Sequence, residues 1–362
     1  MQRVTKIALA VIAVIAVASG GAYAYLTSTP PGNVCPSSTT GPAPAVAHVP
    51  AVEPSTAGAS AHVRPPSGPA GSAAPRARAS PTAGQPVIQV VAAENFWGSL
   101  VSQLGGNQTS VLSIVTDPNA DPHEYEASTA DARAIANAQF IVVNGVGYDQ
   151  WALGLIAADG NPSQVVLNVG TLNGVSVDGG IVTGNPHMWY NPVYVNRTVA
   201  AMYSDLVSIQ PGSTAYFQAN YAALNASLAA LYGRATEIRN EFAGTPVAST
   251  ESIFVYLANF TDLDLVSPPE FMEAIAEGND PPPQSVVQFQ CQLEGGQVHV
   301  LVYNEQTVTP LTTQMKAIAA AHNVSVVGVT ETIQPPDTPF QVWMNAEYLQ
   351  LENALNAQRL GQ

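Results

Sequence analysis

The chain has 362 residues, of which 11 are Lys or Arg and 26 are Asp or Glu, for a net charge of −15; this length accommodates an export or anchor segment plus one large domain or two moderate ones. The acid excess concentrates after Pro86, where 276 residues carry 6 basic and 25 acidic groups, a net of −19, so phosphate backbones are repelled, nucleic acid is not an expected partner, and a cation is the natural one. The two cysteines, Cys35 and Cys291, are too few for a disulfide scaffold or a Cys-rich zinc site.

Residues 1–26 have the parts of an export signal: Arg3 and Lys6, an apolar run from Ile7 to Val17, and small residues ending in Ala22, Tyr23 and Ala24. The stretch from Ile7 to Leu26 is uncharged over 20 residues, long enough to serve instead as an uncleaved anchor, and both readings stay open. Residues 27–86 are Pro, Ala, Ser and Gly almost throughout. Such a composition buries too little apolar surface to offset chain entropy, so the segment reads as a linker suited to a tether. Cys35 lies within it, which leaves a bridge to Cys291 unsupported, and Cys291 reads as a buried or half-buried thiol.

From Val87 onward, short β-branched runs alternate with Ala-rich helical stretches, the pattern of an α/β domain with largely parallel sheets. Strands are expected at Val87–Ala92, Ser110–Val115, Phe140–Asn144 and Val165–Asn168. Helices are expected at Phe96–Leu104 and Ser128–Ala138, the latter opened by Ser128 with Asp131 three residues on, a capping-box spacing. Ser213–Phe242 reads as one long helix, with Tyr216, Leu224, Leu228, Leu231, Ala235, Ile238 and Phe242 on one stripe. A second series of strands follows at Pro246–Thr250, Leu263–Val266, Val298–Tyr303 and Ser325–Val329. The expected fold is α/β, with two lobes, each a largely parallel sheet flanked by helices, joined by one long backbone helix: 87–212, 213–242 and 243–362.

Two histidine segments carry the chemistry. Asp117 to Glu126 is a turn-rich loop in which His123 follows Pro122, and Asn185 to Pro192 brackets His187 between prolines just before a helix. A single loop histidine is ordinarily a solvated or hydrogen-bonding residue. Here both follow proline in an Asx-containing turn, in a chain with only six histidines.

These segments resemble the zinc- and manganese-binding family of ABC-transporter substrate-binding proteins, in which a Pro-His-x-Tyr-Glu loop and an Asn/Asp-Pro-His-x-Trp segment each supply a metal-binding histidine. The resemblance extends over about residues 87 to 355 and includes Asn144 to Trp151, similar to the family's Asn-Gly-x-Gly-x-Asp stretch. It implies His123 and His187 as two metal ligands. It further implies Glu251, where many relatives have His, as the third, and Glu331, a departure from the family's Asp, as the fourth. His123, Glu251 and Glu331 each follow a predicted strand, where open α/β sheets bind their ligands. The implied cargo is Zn2+ or Mn2+, and the implied partner is the membrane permease of an importer whose ATPase is a separate chain. The protein is then expected to be extracytoplasmic, monomeric and not an enzyme. The alternatives are a surface-tethered adhesin with a secondary metal site and a metal-dependent hydrolase. Against the hydrolase stand the lack of a His-Glu-x-x-His helix, a Gly-x-Ser-x-Gly elbow or a phosphate loop, and a set of four protein ligands that leaves no position for water.

Overall fold

The computed structural model describes residues 86–119, 122–175, 177–178, 181–182 and 184–360. The signal or anchor segment, Cys35 and all of the linker but Pro86 lie outside the described residues. No helix among the described residues is long and apolar enough to cross a membrane.

The first half runs β1 (Ile88–Glu94), α1 (Asn95–Gly105), β2 (Thr109–Val115), α2 (Thr129–Asn137), β3 (Phe140–Val143), α3 (Gln150–Asp159), β4 (Val165–Asn168) and α4 (Val169–Asn173). A two-stranded antiparallel ribbon, β5 (Val177–Asp178) and β6 (Ile181–Val182), follows, then α5 (Pro192–Ile209) and α6 (Thr214–Phe242). The second half comprises β7 (Pro246–Ser249), α7 (Val255–Phe260), β8 (Asp264–Leu265), α8 (Pro269–Ala276), α9 (Pro283–Glu294), β9 (Val300–Asn304), α10 (Pro310–Ala321), β10 (Ser325–Val329) and α11 (Phe340–Leu360).

The strands form two four-stranded sheets, β2-β1-β3-β4 and β10-β9-β7-β8, with every pairing parallel. Counted within its own half, each sheet has the same order, the first strand lying between the second and the third. Parallel pairing needs crossover connections, and the helices that supply them cover the sheet faces. This explains why β3 and β9 are buried along their whole length and lack polar alternation. The fold class expected from the sequence is the fold observed.

Local chemistry accounts for the ends of several elements. Ser128 caps α2, its hydroxyl accepting from the amides of Ala130 and Asp131 while the Asp131 carboxylate accepts from the Ser128 amide. Asn191 caps α5, and Pro192 fills its first position, where the missing N–H goes unused. The 29-residue α6 buries Phe217, Leu224, Leu228, Leu231, Ala235, Ile238 and Phe242. These belong to one apolar cluster that continues without a break from α1 and β1 through α6 to β7, β9, β10 and α11. The stripe differs from expectation at its start: Phe217 is fully buried, whereas Tyr216 is only partly covered and its hydroxyl accepts from the Asn107 amide.

Cys291, on α9, is disulfide-bonded rather than a free thiol. Its sequence neighbourhood shows only a helical position, where a cross-link leaves no local trace, and the residue is buried.

Candidate metal centre

The cleft between the sheets is lined by the carboxyl ends of their strands. In each sheet, the position where the chain leaves the first strand to one side and returns on the other is a topological switch point, the usual place for a ligand in an open α/β fold. In the second sheet that point lies between β7 and β9. Glu251 follows β7 by two residues, and Asn304 is the last residue of β9.

His123 sits in a one-turn 3-10 helix, Pro122–Glu124, in the loop after β2. That loop is shaped by Asp117, whose carboxylate accepts from the Asn119 amide at 2.9 Å. Its side chain is 19% exposed, the most accessible of the four candidate ligands, and the other three are fully buried.

His187 is held by a more elaborate frame. Asn185 Oδ1 accepts from the His187 amide at 2.9 Å and lies 2.7 Å from His187 Nδ1. An oxygen there requires Nδ1 to carry the proton, which turns the Nε2 lone pair into the cleft. Asn144 Nδ2 donates to the Pro186 carbonyl at 2.9 Å, and the Trp97 indole donates to Asn144 Oδ1 at 3.1 Å, fixing the turn from behind. Burial drives the His187 pKa down to about 3, with Glu331 opposing and His123 reinforcing the shift. His187 is therefore a neutral donor at any pH near neutrality.

The segment Asn144 to Asp149, similar in sequence to a family motif, has a definite mechanical role. Gly145, Val146 and Gly147 all have positive φ, a run that glycine at two of three positions makes tolerable. The Asp149 carboxylate accepts from the amides of Asn144 and Gly145 at 2.5 and 2.7 Å. The tight turn delivers the Tyr148 hydroxyl to Glu331 Oε2 at 2.7 Å.

Glu331 follows β10, and its amide donates to Gln306 Oε1 at 2.8 Å. Burial, the largest single influence, raises its carboxyl pKa; the charge of His123 and a hydrogen bond to it, then His187 and the Tyr148 hydroxyl, outweigh burial and hold the group below the usual carboxylate range. Glu251 is fully buried with extended backbone at the end of β7.

His123 Nε2 lies 3.4 Å from Glu331 Oε2, and His187 Nε2 lies 3.0 Å from Glu251 Oε1 and 3.8 Å from Glu331 Oε2. One donor atom from each of the four residues falls within 4.8 Å of all the others. Around an ion with bonds of ~2.0–2.1 Å, tetrahedral donors stand about 3.4 Å apart, so the spacing suits a metal after small adjustments. Two neutral imidazoles and two carboxylates also carry a charge of −2, which a divalent cation cancels within the buried cleft.

Sequence reasoning missed Asn304 and Tyr148. Asn304 is fully buried, and its Nδ2 donates to Glu251 Oε2 and, at 2.7 Å, to Glu331 Oε1. Its signal was an amide ending an apolar strand run, two residues nearer to its strand than Glu251 and Glu331 are to β7 and β10.

A model of the family described as ZnuA, zinc-uptake complex component A, periplasmic, matches residues 90–354. The chain belongs to that family. The family is one of transport binding components and not of enzymes. The manganese-binding lipoprotein MntA of Halalkalibacterium halodurans is 27% identical over 135 residues, 37% of this chain and 43% of the relative. The chain spans between 38% and 63% of the length of four of the curated relatives it matches. Among solved structures, the periplasmic zinc-binding protein TroA of Treponema pallidum superposes with a TM-score of 0.62 at 15% identity, covering 76% of this chain and 99% of TroA. The binding protein FpvC of Pseudomonas aeruginosa, solved in complex with Mn2+, gives 0.61 at 20% identity, covering 75% of this chain and 99% of FpvC. At these identities the likeness to the solved structures is one of fold.

Proposed function

We propose that the protein is an extracytoplasmic receptor that captures one divalent transition-metal ion between its lobes through His123, His187, Glu251 and Glu331. It then delivers the ion to a membrane permease driven by a separate ATPase chain. The observation that carries this reading is the convergence of four donor atoms, from loops far apart in sequence, within 4.8 Å of one another. Membership of the family and the zinc- and manganese-binding relatives support it. The N-terminal segment, as signal or anchor, supplies the export step, and the site carries out no reaction.

The test is a thermal melt of the full chain stripped with chelator and then titrated with zinc or manganese. Binding to the native state alone stabilises it by about 2.7 kcal/mol at a hundredfold excess over the dissociation constant, so a rise in midpoint with one ion bound per chain is expected. A melt that neither metal moves would sink the reading. Delivery is checked separately, by metal uptake in cells lacking the protein.

A further inference from the structure

The proposed receptor site contains two carboxylates whose four oxygens are not equivalent. Glu251 Oε2 accepts from Asn304 Nδ2. Glu331 Oε1 accepts from the same Nδ2 at 2.7 Å and from the Thr307 hydroxyl at 3.0 Å. The amide is oriented unambiguously, because Asn304 Oδ1 accepts from the Gln306 backbone N–H at 3.0 Å, which leaves the NH2 group facing the carboxylates. The Asn304 backbone N–H donates to Thr250 Oγ1 at 3.2 Å, next to Glu251 in the chain. One side chain at the end of β9 thus takes one oxygen from each carboxylate. The other two oxygens, Glu251 Oε1 and Glu331 Oε2, are the ones nearest the imidazoles, at 3.0 and 3.4 Å.

We infer that Asn304 is a specificity-determining positioning residue: by engaging one oxygen of Glu251 and one of Glu331, it holds both carboxylates monodentate and biases the cleft toward a four-coordinate, zinc-type ion over manganese. This rests on the receptor reading above and deepens it. A bidentate carboxylate would have to pull its second oxygen away from Asn304, whose buried Nδ2 would then have only the Thr307 hydroxyl at 3.0 Å as a replacement acceptor. Monodentate carboxylates and two imidazoles make four donors, the number zinc takes in closed sites. Manganese prefers an octahedral, oxygen-rich shell, and the extra oxygens it would recruit are the ones Asn304 occupies. The Tyr148 hydroxyl donates to Glu331 Oε2 at 2.7 Å, the oxygen left for the ion.

The test measures zinc and manganese dissociation constants by chelator competition on the stripped full chain, for the parent, Asn304→Leu, which keeps the volume but removes the donor, and Asn304→Ser, which restores one hydroxyl donor. Stability order places zinc above manganese at almost any such site, so the readout is the change in the affinity ratio. It should narrow by about tenfold or more in Asn304→Leu, the scale typical when a partner of a metal ligand is lost, and Asn304→Ser should fall between. X-ray absorption at the zinc edge of the loaded parent should show four ligands, two of them imidazole. A zinc ion of five or six ligands in the parent, or a ratio in Asn304→Leu equal to the parent's, overturns the inference. If Asn304→Leu fails to fold, the parent's coordination number decides alone. A parent that binds neither metal overturns the receptor reading itself, an outcome distinct from binding with an unchanged ratio.

Discussion

Glu347, on α11, has its carboxyl buried against the loop that carries Glu331. Its Oε1 accepts from the Thr330 amide at 3.0 Å, and its Oε2 lies 2.7 Å from the Tyr190 hydroxyl, which itself reaches the Thr330 carbonyl at 3.1 Å. A protonated Glu347 fits this chain of contacts, donating to Tyr190 while Tyr190 donates to Thr330. Burial pushes the Glu347 pKa up to about 8, with the hydrogen bonds from Tyr190 and Thr330 opposing. The unfolded chain loses this proton near the ordinary value of 4.5, so between that pH and about 8 it binds fewer protons than the native state, and stability falls as pH rises through the window. His187 works in the opposite sense: its depressed pKa makes stability fall as pH drops from about 6.5 toward about 3. Above 6.5 the Glu347 slope stands clear of that of His187. Urea denaturation of the stripped protein should therefore show the stability of Glu347→Gln relative to the parent rising from pH 6.5 to pH 8. A variant-to-parent difference that stays flat over that range would mean Glu347 is ionised in the native state.

A second prediction at this scale concerns Glu331. Glu331→Ala should weaken metal binding by more than the ~10–100-fold typical of losing a ligand's partner, while leaving the far-ultraviolet circular dichroism of the stripped protein unchanged. Isothermal titration of parent and variant checks it, and an unaltered affinity would remove Glu331 from the ligand set. Of the four candidate ligands, His123 and His187 stood out in the sequence because histidines are few and both follow proline in Asx-containing turns, whereas Glu251 and Glu331 were pointed to by the resemblance alone. Asn304 and Tyr148 were not legible, because an amide and a phenol belong to no metal-ligand pattern. Their roles arise only when β9 and the β3-α3 turn are brought against Glu251 and Glu331.

Elements were legible to the extent that their patterns were local. The helical period from Leu224 to Phe242 placed α6 within a residue of its observed bounds. The first position of its buried stripe depended on a neighbour. Tyr216 can reach Asn107 with its hydroxyl, so the apolar Phe217 takes the interior place. β4 and β10 keep their expected bounds, and the other strands drift by one or two residues for a similar reason. β1 continues to Glu94 because Glu94 pairs in register with Val115 of β2, and nothing in an isolated strand shows that a buried carboxylate will extend it. Burial and the neighbouring Asp149 raise the Glu94 pKa, and the two carboxyls are linked by a hydrogen bond. Leu228 lies at the middle of the buried α6 stripe and is completely covered. Leu228→Ala should destabilise the protein by about 2–5 kcal/mol, the range for a buried leucine whose surroundings collapse only in part. Metal affinity at saturating fold should be preserved, since the site touches no α6 side chain. Chemical denaturation paired with a metal titration separates the two effects; weakened binding by a still-folded variant would show that α6 sets the ligand positions.

The candidate metal cleft is one part of a broader contact between the two sheet-containing halves. Asn95, the first residue of α1, clasps Ile333 in both directions, donating to its carbonyl at 3.1 Å and accepting from its amide at 2.9 Å. Asn185 Nδ2 donates to the Ser252 carbonyl at 2.6 Å, and the Tyr256 hydroxyl donates to the Asn185 carbonyl at 2.9 Å. Gln103 and Gln341 exchange amide hydrogen bonds at 3.1 and 2.8 Å, and the Phe340 amide donates to Ser99 Oγ at 3.0 Å. With α6 running about 44 Å at 1.5 Å per residue and one apolar cluster shared by both halves, these bonds surround the cleft on several sides.

A hinge that opened the cleft would have to break the Asn95 and Asn185 pairs together and expose part of a continuous core, at a cost that grows with the apolar area uncovered. A few residues absorbing a large backbone change, the usual anatomy of hinge closure, have no place along an uninterrupted α6. Metal entry is then expected to proceed by local movement of the His123 loop, the most exposed part of the site, with the two sheets staying in register. Small-angle scattering of stripped and zinc-loaded protein should give radii of gyration that agree within error. Hydrogen exchange should slow on zinc binding chiefly around residues 117–126, where the loop leaves β2, and much less along α6 and β7. A contraction on loading, with protection spreading across α6, would replace this picture with one of domain closure.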